Sequence, residues 1–161
     1  RVILWREKRL GSEHLETLKS VTNLACIRES LGKLSEAELL CRYAHERFAA
    51  KLGLEHVHTM NSASNIACLL EAQGKFGQAE AYYRQVLLGF ESKFGPNHPD
   101  TLGCVYNLAA LLKGCGHTAQ AEALFRRELA GCEAVHGPVH EDTLGSVRNL
   151  ALLLQQQGKY A

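Results

Sequence analysis

The sequence predicts an all-α protein, an α-solenoid of stacked antiparallel helix pairs, and three observations lead there. First, His14, His56, His98 and His140 stand 42 residues apart, and the same spacing relates Thr17, Thr59, Thr101 and Thr143, then Asn23, Asn65, Asn107 and Asn149. Ala25, Ala67, Ala109 and Ala151 and then Gly32, Gly74, Gly116 and Gly158 follow in the same register. A fixed period of this length means one supersecondary unit stacked several times. Second, apolar residues between these marks recur at helical spacing, as in Leu102, Val105, Leu108, Ala109, Leu111 and Leu112, and show no strand period. Third, glycine breaks each full copy twice, at Gly32 and Gly53, Gly74 and Gly95, and Gly116 and Gly137, with Pro96 and Pro138 after the last two of the between-repeat breaks, which divides each copy into two helices.

The elements follow in order. Residues 1–10 align with the end of a second helix, because Gly11 matches Gly53, Gly95 and Gly137. First helices are predicted over about 15–31, 57–73, 99–113 and 141–157, and second helices over about 35–51, 77–93 and 119–135. The third copy is the clearest. Pro99 suits a first helical position, Asp100 adds an acid where the helix dipole favours one, and Gly137 followed by Pro138 stops the second helix. Tyr160 and Ala161 align with Phe76 and Gly77, where another second helix should start. The chain thus reads as a single array that begins and ends inside a repeat. Residues 1–11 close a preceding repeat, 12–53, 54–95 and 96–137 are repeats one to three, and 138–161 is a truncated fourth.

Small residues predict how the helices pack. Ala25, Ala67, Ala109 and Ala151 on first helices and Ala37, Ala79 and Ala121 on second helices allow close approach of the two axes. Gly32, Gly74, Gly116 and Gly158 suit a tight turn with positive φ. Leu34, Phe76 and Tyr160 are expected to plug the gap between helices, and the polar Thr118 predicts a looser third turn.

Composition excludes several function classes. Of 161 residues, 46% are hydrophobic and 22% charged, with a net charge of +1, so nothing favours a nucleic-acid or membrane-surface partner. The apolar run Leu108–Leu112 is far shorter than the roughly 20 residues of a bilayer span, so no membrane insertion is expected. Cys26, Cys41, Cys68, Cys104, Cys115 and Cys132 form no CxxC pair and read as reduced packing residues, which suits a reducing intracellular compartment, the cytoplasm foremost. No secretory or transit signal is visible. No phosphate loop, nucleophile elbow, HExxH or dinucleotide fingerprint occurs, so the chain reads as non-catalytic and without cofactor. The four periodic histidines cannot share a metal. Equivalent positions in adjacent repeats lie at least about 8–10 Å apart, whereas each zinc ligand sits near 2.1 Å from the ion. They read as helix-start hydrogen-bonding groups. His56 and His58 flank a helix start without an evident third ligand, so no metal is expected.

The motifs His98-Pro99-Asp100-Thr101-Leu102, Asn107-Leu108-Ala109, Gly74-Lys75-Phe76, Ala79-Glu80 and Gly137-Pro138 resemble the 42-residue tetratricopeptide repeats of kinesin light chains and their relatives. The resemblance covers essentially the whole chain. It implies a right-handed superhelical scaffold that binds peptides or proteins in a concave groove lined by first helices. Leu54, where other copies carry Pro96 and Pro138, and Leu15-Glu16, where the third has Pro99-Asp100, depart from the pattern.

On that resemblance, the groove-facing positions of copy one are Lys19, Thr22, Asn23, Cys26, Glu29 and Ser30, and those of copy two are Asn61, Ser64, Asn65, Cys68, Glu71 and Ala72. Copy three offers Gly103, Tyr106, Asn107, Ala110, Lys113 and Gly114, and copy four Gly145, Arg148, Asn149, Leu152, Gln155 and Gln156. An amide has two donors and two acceptor lone pairs, so one asparagine per repeat could hold an extended peptide backbone. The same amide could instead bond the adjacent helix and keep the stack in register, or serve both ends. The missing side chains at Gly103, Ala110 and Gly114 predict a hollow beside Tyr106, where an apolar or acidic partner segment would dock near Lys113 and Arg148. Drift in a tolerant scaffold would leave the same glycines.

The partner is expected to be a protein, as a peptide segment or as neighbouring subunits. Two roles stand open: an architectural or accessory subunit within a larger multiprotein assembly, or a peptide-binding cargo adaptor. The apolar stretch Val2-Ile3-Leu4-Trp5 favours the first, with Trp5 standing where other copies carry Arg47, Gly89 and Gly131. An RNA-reading helical repeat is a remoter alternative, against which the 42-residue period and the neutral charge balance both argue, since an RNA reader should show a basic inner face.

Overall fold

The computed structural model describes residues 2–158, and the side chains of residues 5–158. The expectations for Val2, Ile3 and Leu4 as side chains, and for Tyr160 and Ala161, lie outside the described residues. The described residues form eight helices and no strand: α1 (Val2–Leu10), α2 (Leu15–Ser30), α3 (Leu34–Leu52), α4 (Val57–Ala72), α5 (Phe76–Phe94), α6 (Pro99–Gly114), α7 (Thr118–His136) and α8 (Glu141–Gln156). First helices lie within a residue of the expected bounds, and second helices start one residue earlier and end one later than expected. The chain is an all-α helix-pair stack of the α-solenoid class. It divides into two compact units, 1–82 and 83–161, with α5 contributing to both. In the first unit α1, α2, α3 and α4 pack in succession, and in the second α6, α7 and α8 do.

Each first helix is started by its histidine. His14, His56, His98 and His140 occupy the N-cap with extended backbone, and each Nδ1 accepts the backbone N–H two residues on, at 3.2 Å. That satisfies one of the orphan donors at a helix start. The turn at the other end is equally regular. Gly116 (φ 80°) donates to the Lys113 carbonyl at 3.1 Å and His117 to the Leu112 carbonyl at 2.9 Å, the paired bonds of a Schellman cap. Lys33 and Lys75 make the bond of His117 at 2.9 and 2.8 Å, so the third turn is no looser than the others, against the expectation from Thr118. The glycine and the backbone bonds set this turn, whichever side chain follows.

Ala25, Ala67, Ala109, Ala37, Ala79 and Ala121 are buried outright, as close helix approach requires. Ala151 is exposed, and the segment aligned with its partner helix lies outside the described residues. The plug between helices is not found. Phe76 is 47% exposed and Leu34 only half-buried. Both are the first residues of their helices, and side chains lean toward the N-terminus, which carries these two off the packed face. The core is filled further along, in the first unit by Leu18, Val21, Ala44 and Phe48.

The periodic threonines hold the joints between repeats. Thr17, Thr59, Thr101 and Thr143 are buried, and each Oγ1 donates to the carbonyl of the preceding Gly11, Gly53, Gly95 or Gly137 at 2.8–2.9 Å. The bond ties the end of one second helix to the first turn of the next first helix. Thr101→Val keeps the shape but leaves the Gly95 carbonyl without its partner. It should destabilise the protein by about 1–2 kcal/mol in a urea titration. A midpoint equal to that of the unsubstituted chain would show the bond to be dispensable.

Candidate functional site

In the first unit, α2, α3 and α4 enclose a shallow recess of about 120 Å³ lined by Lys19, Thr22, Asn23, Phe48, His58, Asn61, Ser62 and Asn65. Five of these are expected groove positions. Phe48, fully packed on its own helix, forms the floor. His58 is held below the usual imidazole range by burial first, and then by the positive charge of Lys19.

The second unit carries a larger hollow between α6, α7 and α8, of about 370 Å³. Pro99, Leu102, Gly103 and Tyr106 line it from α6, Glu128, Cys132 and His136 from α7, and Glu141, Asp142, Gly145, Ser146 and Asn149 from α8. The hollow expected beside Tyr106 is there, with Gly103 and Gly145 supplying the missing side chains. Tyr106 is 39% exposed, and its ring tilts against Phe125 at 6.1 Å. Lys113 and Arg148 do not line it, and neither do Ala110 and Gly114. Lys113 lies seven residues beyond Tyr106, about 10 Å along the helix axis at 1.5 Å per residue. Arg148 is exposed and stands one residue, about 100° of helix rotation, from Asn149. The hollow itself therefore does not carry the expected positive charge: its lining holds the carboxylates Glu128, Glu141 and Asp142.

Two floor residues went unseen in the sequence reading. Cys132 occupies the repeat position of Phe48 and Phe90, and Glu128 that of Ala44 and Val86. The missing phenyl ring, with Gly103 and Gly145 where the first unit carries Lys19 and Asn61, accounts for a hollow about three times the volume of the recess in the first unit, and Glu128 adds an acid to its floor. Glu128 is only 8% exposed. Its Oε1 accepts the Ser146 hydroxyl proton at 3.0 Å, while Oε2, closed off from solvent, has no partner. Burial pushes the Glu128 carboxyl up, and the Ser146 bond only partly offsets this. The signal was a break in register on the second helices, where the copies otherwise carry apolar residues.

The asparagine amides are open. Asn23 is exposed and Asn65, Asn107 and Asn149 are half-buried, and among the described residues none of the four side chains bonds the neighbouring helix. Asn23 and Asn65 line the recess, Asn149 lines the hollow, and Asn107 lines neither. Ser64 is half-buried on α4. Trp5 is 56% exposed on α1, with the Arg9 guanidinium 5.1 Å from its ring centre.

His136, His140 and Asp142 bring three ligand-type atoms within 4.8 Å of one another, a grouping the sequence reading did not foresee. The two imidazoles stack at 4.5 Å with planes 20° apart. A cation between them would lie out of both ring planes, where the nitrogen lone pairs do not point, and His140 Nδ1 already accepts the Asp142 N–H. His140 serves as the N-cap of α8, and His136 Nε2 lies 3.8 Å from the Asp142 carboxylate. Cys41 is likewise structural: burial, then the neighbouring Cys26, Glu29 and Cys68, push its thiol up to about 12. No helix among the described residues is long and apolar enough to cross a membrane.

Comparison with known proteins agrees with this architecture. Tetratricopeptide repeat models match residues 59–100 and 101–161, so together they span most of the chain. The chain belongs to the tetratricopeptide repeat family, a class of protein–protein interaction scaffolds. Within it the chain is kinesin-light-chain-like. It is 25% identical, at a TM-score of 0.81, to a crystal structure from Podosopora anserina named as a putative kinesin light chain with nearly identical TPR-like repeats, over 91% of this chain and 70% of that one. A form of that protein with a single substitution is 26% identical at a TM-score of 0.83, over 98% of this chain and 74% of that one. BtubC (BKLC) from P. vanneervenii shares the fold, with a TM-score of 0.84 at 21% identity, over 97% of this chain. The chain spans 63% of the length of BtubC. No curated protein matches in sequence.

Proposed function

We propose that this chain is a protein-interaction module that takes an extended segment of a partner on the face carried by its first helices. The observation that carries this reading is the set of unbonded asparagine amides at one repeat position. An amide that locked the stack would be spent on the adjacent helix, whereas an open one can pair with a peptide backbone. Within the first unit Asn23 and Asn65 line the recess, and within the second Asn149 lines the hollow, which supports this use of the first helices in each. The domain is taken as one array of registered repeats, without catalytic, metal-binding or nucleic-acid-binding function.

Peptides selected from a randomised library on the unsubstituted protein supply the test. The double variant Asn107→Ala, Asn149→Ala should bind them roughly tenfold or more weakly, at an unchanged unfolding midpoint. Equal affinity would overturn the reading. A second reading, an architectural subunit held inside a larger assembly, is favoured by one feature, the exposed Trp5. It expects Trp5→Ala, and not the asparagine variant, to release the partner.

A further inference from the structure

We propose that the hollow between α6, α7 and α8 is a specificity pocket for one basic side chain, lysine or arginine, of the bound segment. The inference rests on the peptide-binding reading above and adds the chemistry of the residue recognised. Its volume of about 370 Å³ falls at the small end of ligand pockets, enough for a single long side chain and not for a folded element. The floor holds a carboxylate oxygen, Glu128 Oε2, that is closed to water and has no partner. An acceptor left in that state costs about 1–3 kcal/mol, and a ligand donor toward which the carboxylate turns removes the cost. A charged donor does so best, since hydrogen bonds between ionised groups are roughly twice as strong as neutral ones.

The walls suit the rest of such a side chain. Leu102 and the Tyr106 ring present apolar surface to an aliphatic stem, and the ring face attracts a cation. Glu141 and Asp142 add negative charge, so an acidic side chain would be repelled. The one wall residue able to carry positive charge, His136, already lies 3.8 Å from Asp142. The pocket is also particular to this copy. Where Phe48 fills the equivalent floor in the first unit, Cys132 leaves it open here, and where Ala44 stands there, the acid stands here.

The same library selection, read by residue preference, tests this. Peptides recovered on the unsubstituted protein should share lysine or arginine at one position. Replacing that residue by norleucine should weaken binding tenfold or more, and Glu128→Gln should abolish the preference while leaving other contacts intact. Cys132→Phe, which restores the side chain of Phe48, should exclude the basic residue without disturbing the acid. Binding peptides with no shared basic residue, or a basic preference indifferent to both variants, would overturn the pocket alone. Loss of sensitivity to the asparagine variant with the basic preference retained would overturn the groove reading and not the pocket. Thermal melts of both variants separate loss of recognition from loss of fold.

Discussion

Phe90→Ala should destabilise the protein by about 3–5 kcal/mol, the largest loss expected from any single truncation here. Phe90 is 1% exposed on α5, and its ring lies 5.9 Å from that of Phe94. Removing it takes away the transfer energy of the ring and leaves a cavity that helices anchored at both ends cannot close. Each repeat contacts only its neighbours, so the damage is local in origin, yet it reaches the whole unit because stacked repeats stabilise one another. A urea midpoint measured by circular dichroism reads the effect directly. A loss under about 1 kcal/mol would mean that the surroundings collapse onto the gap, against the packing described.

Glu128→Val should act in the opposite direction. It restores the residue found at Val86 and removes a buried carboxylate whose second oxygen has no partner, so it should stabilise the unliganded protein by about 1–3 kcal/mol at neutral pH. The pH dependence fixes the sign. Burial raises the Glu128 carboxyl in the folded chain above its ordinary value of 4.5. Between the two values the native state binds more protons than the unfolded one, so stability falls as pH rises through this window. Above the raised folded value the full penalty is present, and below 4.5 it has vanished. The advantage of Glu128→Val should therefore shrink on acidification. An advantage that is constant from acid to neutral pH would show that the carboxyl is not the cause.

Much of the fold was legible because short-range chemistry wrote it four times over. The histidine caps, the glycine turns and the helix bounds each depend on residues within one turn of chain, and four registered copies removed ambiguity about period. Phe76 was misread because a helix-start side chain leans away from the packed face, a direction that spacing alone does not reveal. The hollow was half legible. Gly103 announced a missing side chain beside Tyr106, whereas Ala110 and Gly114, expected to share that role, do not line the hollow and Gly145 does. Its floor comes from Cys132 and Glu128 on a second helix, where the break in register carries the information. Its charge was misjudged because Lys113 and Arg148 are near in sequence but distant along or around the helix.

The exchange of a phenyl ring for Cys132 and of an aliphatic residue for Glu128 has a consequence for how such chains acquire new abilities. Redundancy is the raw material. With the same joint drawn in every copy, one of them can lose packing energy while the others keep the chain folded. A binding preference can then be installed, erased or moved to another copy by editing two positions of a single second helix.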